Sequence, residues 1–202
     1  MSCIIQGSGS GRDCYVLSQF VGKDGHVHGV DMTEEQLAVS RNFVDTHMEK
    51  FFGSVEKPNV TFHQGYIEDM NFIPSASIDI VISNCVLNMT PKKDLVLKEI
   101  YRILKPGGEL FFSDVYADRR FKEDVTNDPL CHSEGFGALY VKDFENIARE
   151  VGFRDPRKCK VSPLTIRYDE ISKKVGSGGL TSIHYRLFKL DSLVCQCLKC
   201  KQ

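Results

Sequence analysis

Gly7-Ser8-Gly9-Ser10-Gly11-Arg12-Asp13-Cys14-Tyr15-Val16-Leu17 joins an apolar stub, Cys3-Ile4-Ile5, to a run in which Cys14, Leu17 and Val21 share one face at helical spacing. Three glycines in five residues make a tight turn that opens a helix N-terminus. Glycine lets the backbone approach a ligand closely, and the unpaired N–H groups at the helix start favour an anionic or carboxylate group. The next stretch, Gly25-His26-Val27-His28-Gly29-Val30-Asp31, reads as a strand that ends in an acid. Thr33-Glu34-Glu35-Gln36 then has the spacing of a capping box. One helix is expected from there, with Leu37, Val44, Met48 and Phe51 on a single face and Gly53 as its stop.

The same alternation continues outward. Val60-Thr61-Phe62, Ile78-Asp79-Ile80-Val81-Ile82 and Glu109-Leu110-Phe111-Phe112-Ser113-Asp114 read as strands, near-continuously apolar as sheet-centre strands are. Between the last two, Val96, Ile100 and Ile103 recur at i, i+4 and i+7, and Lys105-Pro106-Gly107-Gly108 stops that helix. Phe144, Ile147, Ala148 and Val151 form another apolar stripe closed by Gly152, and Ser182-Ile183-His184-Tyr185-Arg186-Leu187-Phe188-Lys189 alternates as a late strand. His26 and His28 project to one face of their strand. This rhythm predicts an α/β domain over residues 1–190, doubly wound around a mostly parallel sheet. Residues 116–140 are polar and the least regular, as loops carrying substrate contacts commonly are. Residues 191–202 have no apolar period and are expected to form a Cys-rich tail beyond the packed domain.

Composition fits one such domain: 202 residues, 42% hydrophobic and 26% charged. The 26 Lys and Arg against 27 Asp and Glu leave a net charge of −1, so no overall field favours a polyanion, and nucleic acid is not an expected partner. No apolar run approaches the ~18–20 residues that span a bilayer, and Met1-Ser2-Cys3-Ile4-Ile5-Gln6 lacks the charged and apolar regions of a signal peptide. A cytosolic monomer without membrane contact is therefore expected. At this length and without a signal, the eight cysteines read as free thiols rather than a disulfide scaffold.

The glycine spacing is Gly-x-Gly-x-Gly, where the dinucleotide fingerprint has one residue more before its third glycine, which disfavours NAD. Asp31 follows Gly11 by 20 residues, where a carboxylate can accept both hydroxyls of an adenosine ribose at the sheet's switch point. With Gly65-Tyr66-Ile67-Glu68-Asp69 and Leu104-Lys105-Pro106-Gly107-Gly108 in that order, the chain resembles the Rossmann-like class I S-adenosylmethionine-dependent methyltransferases. More narrowly, Gly7 to Gln19, Ser83-Asn84-Cys85-Val86-Leu87-Asn88, Phe112-Ser113-Asp114-Val115-Tyr116, Gly137-Ala138-Leu139-Tyr140 and Arg186-Leu187-Phe188-Lys189 resemble arsenite methyltransferases. The resemblance implies S-adenosyl-L-methionine as cofactor. Gly7, Ser8, Gly9 and Gly11 would contact its methionine part, Asp31 the ribose, Met32, Ile67 and Glu68 the adenine, and Asn84 and Cys85 the floor beneath the sulfonium. It also implies trivalent arsenic or its thiol conjugate as the small-molecule substrate, with a thiol reductant. Cysteine thiolates suit that soft centre, and positioning, rather than a general base, is the protein's task.

The resemblance has gaps. Glu134 and Gly178 stand where the family carries arsenic-binding cysteines, Ile5 where it has an acid, and only six residues precede Gly7, so an incomplete N-terminal cap is expected. Cys131, three residues before Glu134, is a candidate replacement thiol, and Cys195, Cys197 and Cys200 could grip arsenic(III) or share a zinc ion. Two other readings stay open: methyl transfer to a different small acceptor, and an inactive cofactor-binding fragment.

Overall fold

A computed structural model describes residues 1–53, 56–131, 135, 138–165, 169–175 and 179–190. The elements run β1 (Ser2–Gln6), α1 (Arg12–Val21), β2 (His26–Asp31), α2 (Glu34–Arg41), α3 (Val44–Phe52), β3 (Val60–Gln64), β4 (Ile78–Asn84), α4 (Lys93–Ile103), β5 (Leu104–Ala117), α5 (Glu123–Thr126), α6 (Pro129–Cys131), α7 (Val141–Val151), β6 (Arg157–Leu164), α8 (Asp169–Val175) and β7 (Leu180–Phe188). A short 3₁₀ turn at Leu87–Met89 follows β4.

The strands form one seven-stranded sheet in the order β3-β2-β1-β4-β5-β7-β6. β1 to β5 are mutually parallel, and β7 enters antiparallel between β5 and β6. This is the doubly wound, Rossmann-like arrangement expected from the alternation of apolar strands and amphipathic helices. Strand pleating divides the core in two. Cys3 and Ile5 of β1 join Cys14, Val27, Leu37 and Phe62 on one face. Ile4 joins Val30, Val81, Leu97, Ile100, Phe112, Phe144 and Tyr185 on the other.

The expected helix after Asp31 is two helices. The Phe43 N–H closes a three-residue turn onto the Ser40 carbonyl (3.2 Å), and the Tyr15 hydroxyl of α1 donates to that same carbonyl, ending α2 at Arg41. Leu37 and Met48 are buried as their spacing predicts, whereas Phe51 is exposed. Gly53 ends α3 in the left-handed conformation at φ 69°. The capping box does not form either. Thr33 makes no side-chain cap, and its N–H donates to Asp31 Oδ1 (2.9 Å). Helix α4 buries Val96, Ile100 and Ile103, and Gly152 caps α7, as the pattern indicated. Helix α4 ends at Ile103, just before Lys105-Pro106-Gly107-Gly108 as expected, and the turn itself is taken into β5, where a register shift opposite Ile78 and Ile80 absorbs it. His26 and His28 do share a face, their rings 4.5 Å apart, and His28 Nδ1 meets His63 Nε2 of β3 at 3.1 Å.

Candidate active site

The C-terminal ends of β1, β2 and β4 lie level, with Gln6 opposite Val30 on one side and Ser83 on the other. The chain leaves β1 toward β2 and returns on its far side as β4, so a crevice opens above this point, where doubly wound sheets bind ligands. The glycine turn sits at its mouth. Gly7 and Ser8 both donate their N–H to the Val30 carbonyl (2.9 and 3.0 Å), and the Gly11 N–H returns to the Ser8 carbonyl (3.0 Å). Gly7, Gly9 and Gly11 all have positive φ, at 65°, 52° and 86°. A Cβ on Gly7 would lie 2.4 Å from Val86 Cγ2, and one on Gly11 2.7 Å from Phe62 Cζ. Only glycine satisfies both the backbone and the space.

Asp31 ties this turn to its surroundings. Its Oδ2 accepts the Gly9 N–H at 2.8 Å while Oδ1 accepts that of Thr33. Its carbonyl accepts the Gly65 N–H (3.0 Å), which fixes the start of the turn carrying Ile67 and Glu68. Ile67 is buried in the core, Glu68 is half-buried, and Met32 is 64% exposed at the rim.

Asn84, the last residue of β4, and Cys85 just past it are exposed. Cys85 holds φ 56°, a conformation rare for a side-chain-bearing residue, and its N–H donates to the Ser113 carbonyl of β5 (2.8 Å). The Ser113 hydroxyl donates to Asn84 Oδ1, and the Cys85 thiol lies 3.6 Å from the same oxygen. Burial and the nearby Asp114 carboxylate push the Cys85 thiol above its usual pKa. The structure therefore brings Gly7, Ser8, Gly9, Gly11 and Asp31 together directly, Ile67 and Glu68 through Gly65, and Asn84 and Cys85 through the contact of Val86 with Gly7.

Three buried polar atoms flank the crevice without a partner among the described residues: Gln6 Oε1, Ser8 Oγ and Ser83 Oγ. Helix α1 has Gly11 at its N-cap, which supplies no side-chain cap. Each Asp31 oxygen retains a lone pair beyond the N–H it already accepts. Amide, hydroxyl and carboxylate groups around a glycine cradle suit a ligand with carboxylate, amino and hydroxyl groups, which the methionine and ribose parts of S-adenosylmethionine present. The apolar pocket lined by Tyr15, Phe43, Thr46, His47, Lys50 and Phe51 shares only Ser10 with this turn.

Cys131 has 0% exposure, packed with Ala117, Val125, Ile171 and Leu180 in a satellite cluster. Burial and Asp128 raise its thiol pKa. Glu134, Gly178, Cys195, Cys197 and Cys200 lie outside the described residues, and among the described residues no group of three or more His, Cys, Asp or Glu side chains could hold a metal ion. Asp114, an acid on the rim of the sheet, suits a capping or loop-bracing role as well as a ligand contact. In the structure it is 2% exposed and accepts both the Asn88 N–H (2.9 Å) and the Asn88 side-chain amide (2.7 Å). The signal was an acid ending a near-continuously apolar strand. Its partner, 26 residues upstream, carried none.

The chain belongs to the methyltransferase domain family, which matches residues 3–152. Within that class its likeness is to arsenite methyltransferases. It is 52% identical over 194 residues to the arsenite methyltransferase of Aquipseudomonas alcaligenes, covering 95% of this chain and 55% of that one. To the arsenite methyltransferase of Homo sapiens it is 46% identical over 186 residues, covering 91% and 49%. An arsenic(III) S-adenosylmethionine methyltransferase from Chlamydomonas reinhardtii superposes with a TM-score of 0.90 at 45% identity, over 95% of this chain and 64% of that one. The chain thus spans about half the length of the curated relatives it matches.

Proposed function

We propose that this chain binds S-adenosyl-L-methionine at the glycine turn and serves methyl transfer to trivalent arsenic. The observation that carries the reading is the turn itself: three left-handed glycines braced by the Asp31 carboxylate, in a chain 52% identical to an arsenite methyltransferase. When bound, the cofactor supplies a methyl group on a sulfonium, which the lone pair of a soft trivalent centre can take by in-line displacement. The chain's own residues hold and orient it. The N–H groups of Gly7, Ser8, Gly9 and Gly11 are held within the fold, so these residues let the backbone approach the methionine end closely while the Ser8 hydroxyl faces it, and Asp31 accepts ribose hydroxyls. Met32, Ile67 and Glu68 border the adenine, while Asn84 and Cys85 line the floor. No residue need move a proton, so the rate depends on how well these groups fix the methyl donor.

The acceptor would be arsenite or its thiol conjugate, with a thiol reductant, and the protein would act as a cytosolic monomer. No described helix is long and apolar enough to cross a membrane. The burial of Cys131 gives a specific reason to retain a second reading, transfer to another small acceptor, because this thiol does not face the crevice as folded.

Calorimetric titration of the protein with S-adenosylmethionine, repeated with arsenite and glutathione present, tests both halves. Saturable binding supports the site, and methylated arsenic detected by mass spectrometry supports the acceptor. A folded protein that binds no cofactor overturns the reading.

A further inference from the structure

The loop after β4 is fastened to the end of β5 at consecutive residues. The Ser113 carbonyl takes the Cys85 N–H, the Asp114 carboxylate takes the Asn88 N–H and side-chain amide, and the Val115 carbonyl takes the Asn88 side-chain amide as well. The Val115 N–H closes back onto Asp114 Oδ1 (2.8 Å). From the other side, Lys93 Nζ donates to the carbonyls of Thr90 (2.9 Å) and Asn88 (3.5 Å), which holds a positive charge beside the buried carboxylate. Asn88 is therefore gripped at its N–H, its side chain and its carbonyl. The same loop carries Val86, whose Cγ2 occupies the space a Gly7 side chain would need.

We propose that Asp114, acting through Asn88, is a positioning residue: it fixes the 85–90 loop, and that loop, through Val86, fixes the glycine turn. The task rests on the cofactor reading above for its purpose but not for its mechanics. The strained Cys85, at φ 56°, is the first residue of the loop so held, its N–H on the Ser113 carbonyl. The geometry also explains the choice of acid. Three N–H donors converge on Asp114, and an amide in its place would turn an NH₂ toward at least one of them.

The test compares Asp114→Asn, Asn88→Ala and Val86→Ala with the unaltered protein by amide hydrogen exchange in the absence of cofactor, and by titration with S-adenosylmethionine. A core variant of α4, Ile103→Val, serves as a control for lost global stability. In Asp114→Asn and Asn88→Ala, exchange should rise at least tenfold both at residues 85–89 and at residues 7–11. In Val86→Ala it should rise at residues 7–11 alone. The first two variants should weaken cofactor binding about tenfold, and Ile103→Val should leave it unchanged even where it lowers the melting temperature. Unchanged exchange at residues 7–11 in Asn88→Ala overturns the linkage, as does weakened binding that Ile103→Val reproduces. Failure of the unaltered protein to bind cofactor overturns the cofactor reading instead, and the exchange pattern still decides the linkage.

Discussion

Asp31 Oδ2 accepts the Gly9 N–H at 2.8 Å across the mouth of the crevice, joining the end of β2 to the middle of the glycine turn. One carboxylate thus does two things: it holds the turn and leaves lone pairs toward the ligand. A hydrogen bond to a charged group contributes about 1.5–3 kcal/mol, so Asp31→Ala should weaken S-adenosylmethionine binding by about 10- to 100-fold. Asp31→Asn should lose less, because its remaining oxygen can still accept one N–H. Titration calorimetry on both variants checks the order.

Gly7 and Gly53 both have left-handed backbone, at φ 65° and 69°, but differ in surroundings. Among the described residues a Cβ at Gly53 meets nothing within 4 Å, whereas one at Gly7 meets Val86. Gly53→Ala should destabilise by about 1 kcal/mol from backbone strain alone. Gly7→Ala adds overpacking and should cost about 2–4 kcal/mol, with loss of cofactor binding. Urea unfolding of the two variants separates strain from collision.

His28 is pulled down to about 4, first by burial and then by His26 and His63. Because the unfolded imidazole titrates near its ordinary value, the unfolded chain binds more protons between about pH 6.5 and 4. Stability contributed by neutral His28 is complete above that window and is lost as pH falls through it, by up to ~3 kcal/mol. His26 and His63 shift in the same direction and add to the slope. His28→Gln should flatten the decline in unfolding free energy measured from pH 7.5 to 4.5.

The thiols should differ sharply in reactivity. Burial pushes Cys3 up to about 11 and Cys14 to about 12, and Cys131 is sealed in its apolar cluster. Cys85 and Cys159 are exposed. Among these five, alkylation at pH 8 followed by peptide mass spectrometry should find Cys159 modified first and Cys85 more slowly, with the other three modified only after unfolding. Added S-adenosylmethionine should protect Cys85 and leave Cys159 unaffected.

What could be read along the chain was whatever depends on neighbours in sequence. The glycine turn, the buried faces of α4 and α7 and the central strands announce themselves through local composition. The break between α2 and α3 does not, because it is made by Tyr15 reaching the Ser40 carbonyl from another helix. Thr33 fails as a cap for a similar reason: its N–H is taken by Asp31, so the residue is turned to a different use. Strand β6 carries no such signal, since nearly every position of Arg157–Leu164 is exposed and no alternation marks it. The site shows the same division. Asp31 was visible from its distance to the turn, while the grip of Asp114 on Asn88 exists only once β4 and β5 lie side by side.

The insertion of β7 between β5 and β6 bears on how the protein is made. Nine residue pairs, from Glu109 with Phe188 to Ala117 with Leu180, close the edge of β5. During synthesis, five parallel strands and their helices are complete well before that closing strand has been translated. Until then a long apolar strand stands with its backbone groups unpaired, the condition under which chains join edge to edge. A ribosome stalled near residue 160 would release the whole glycine turn together with an adhesive edge, so folding yield should be governed by the last strand rather than by the residues that would bind the cofactor.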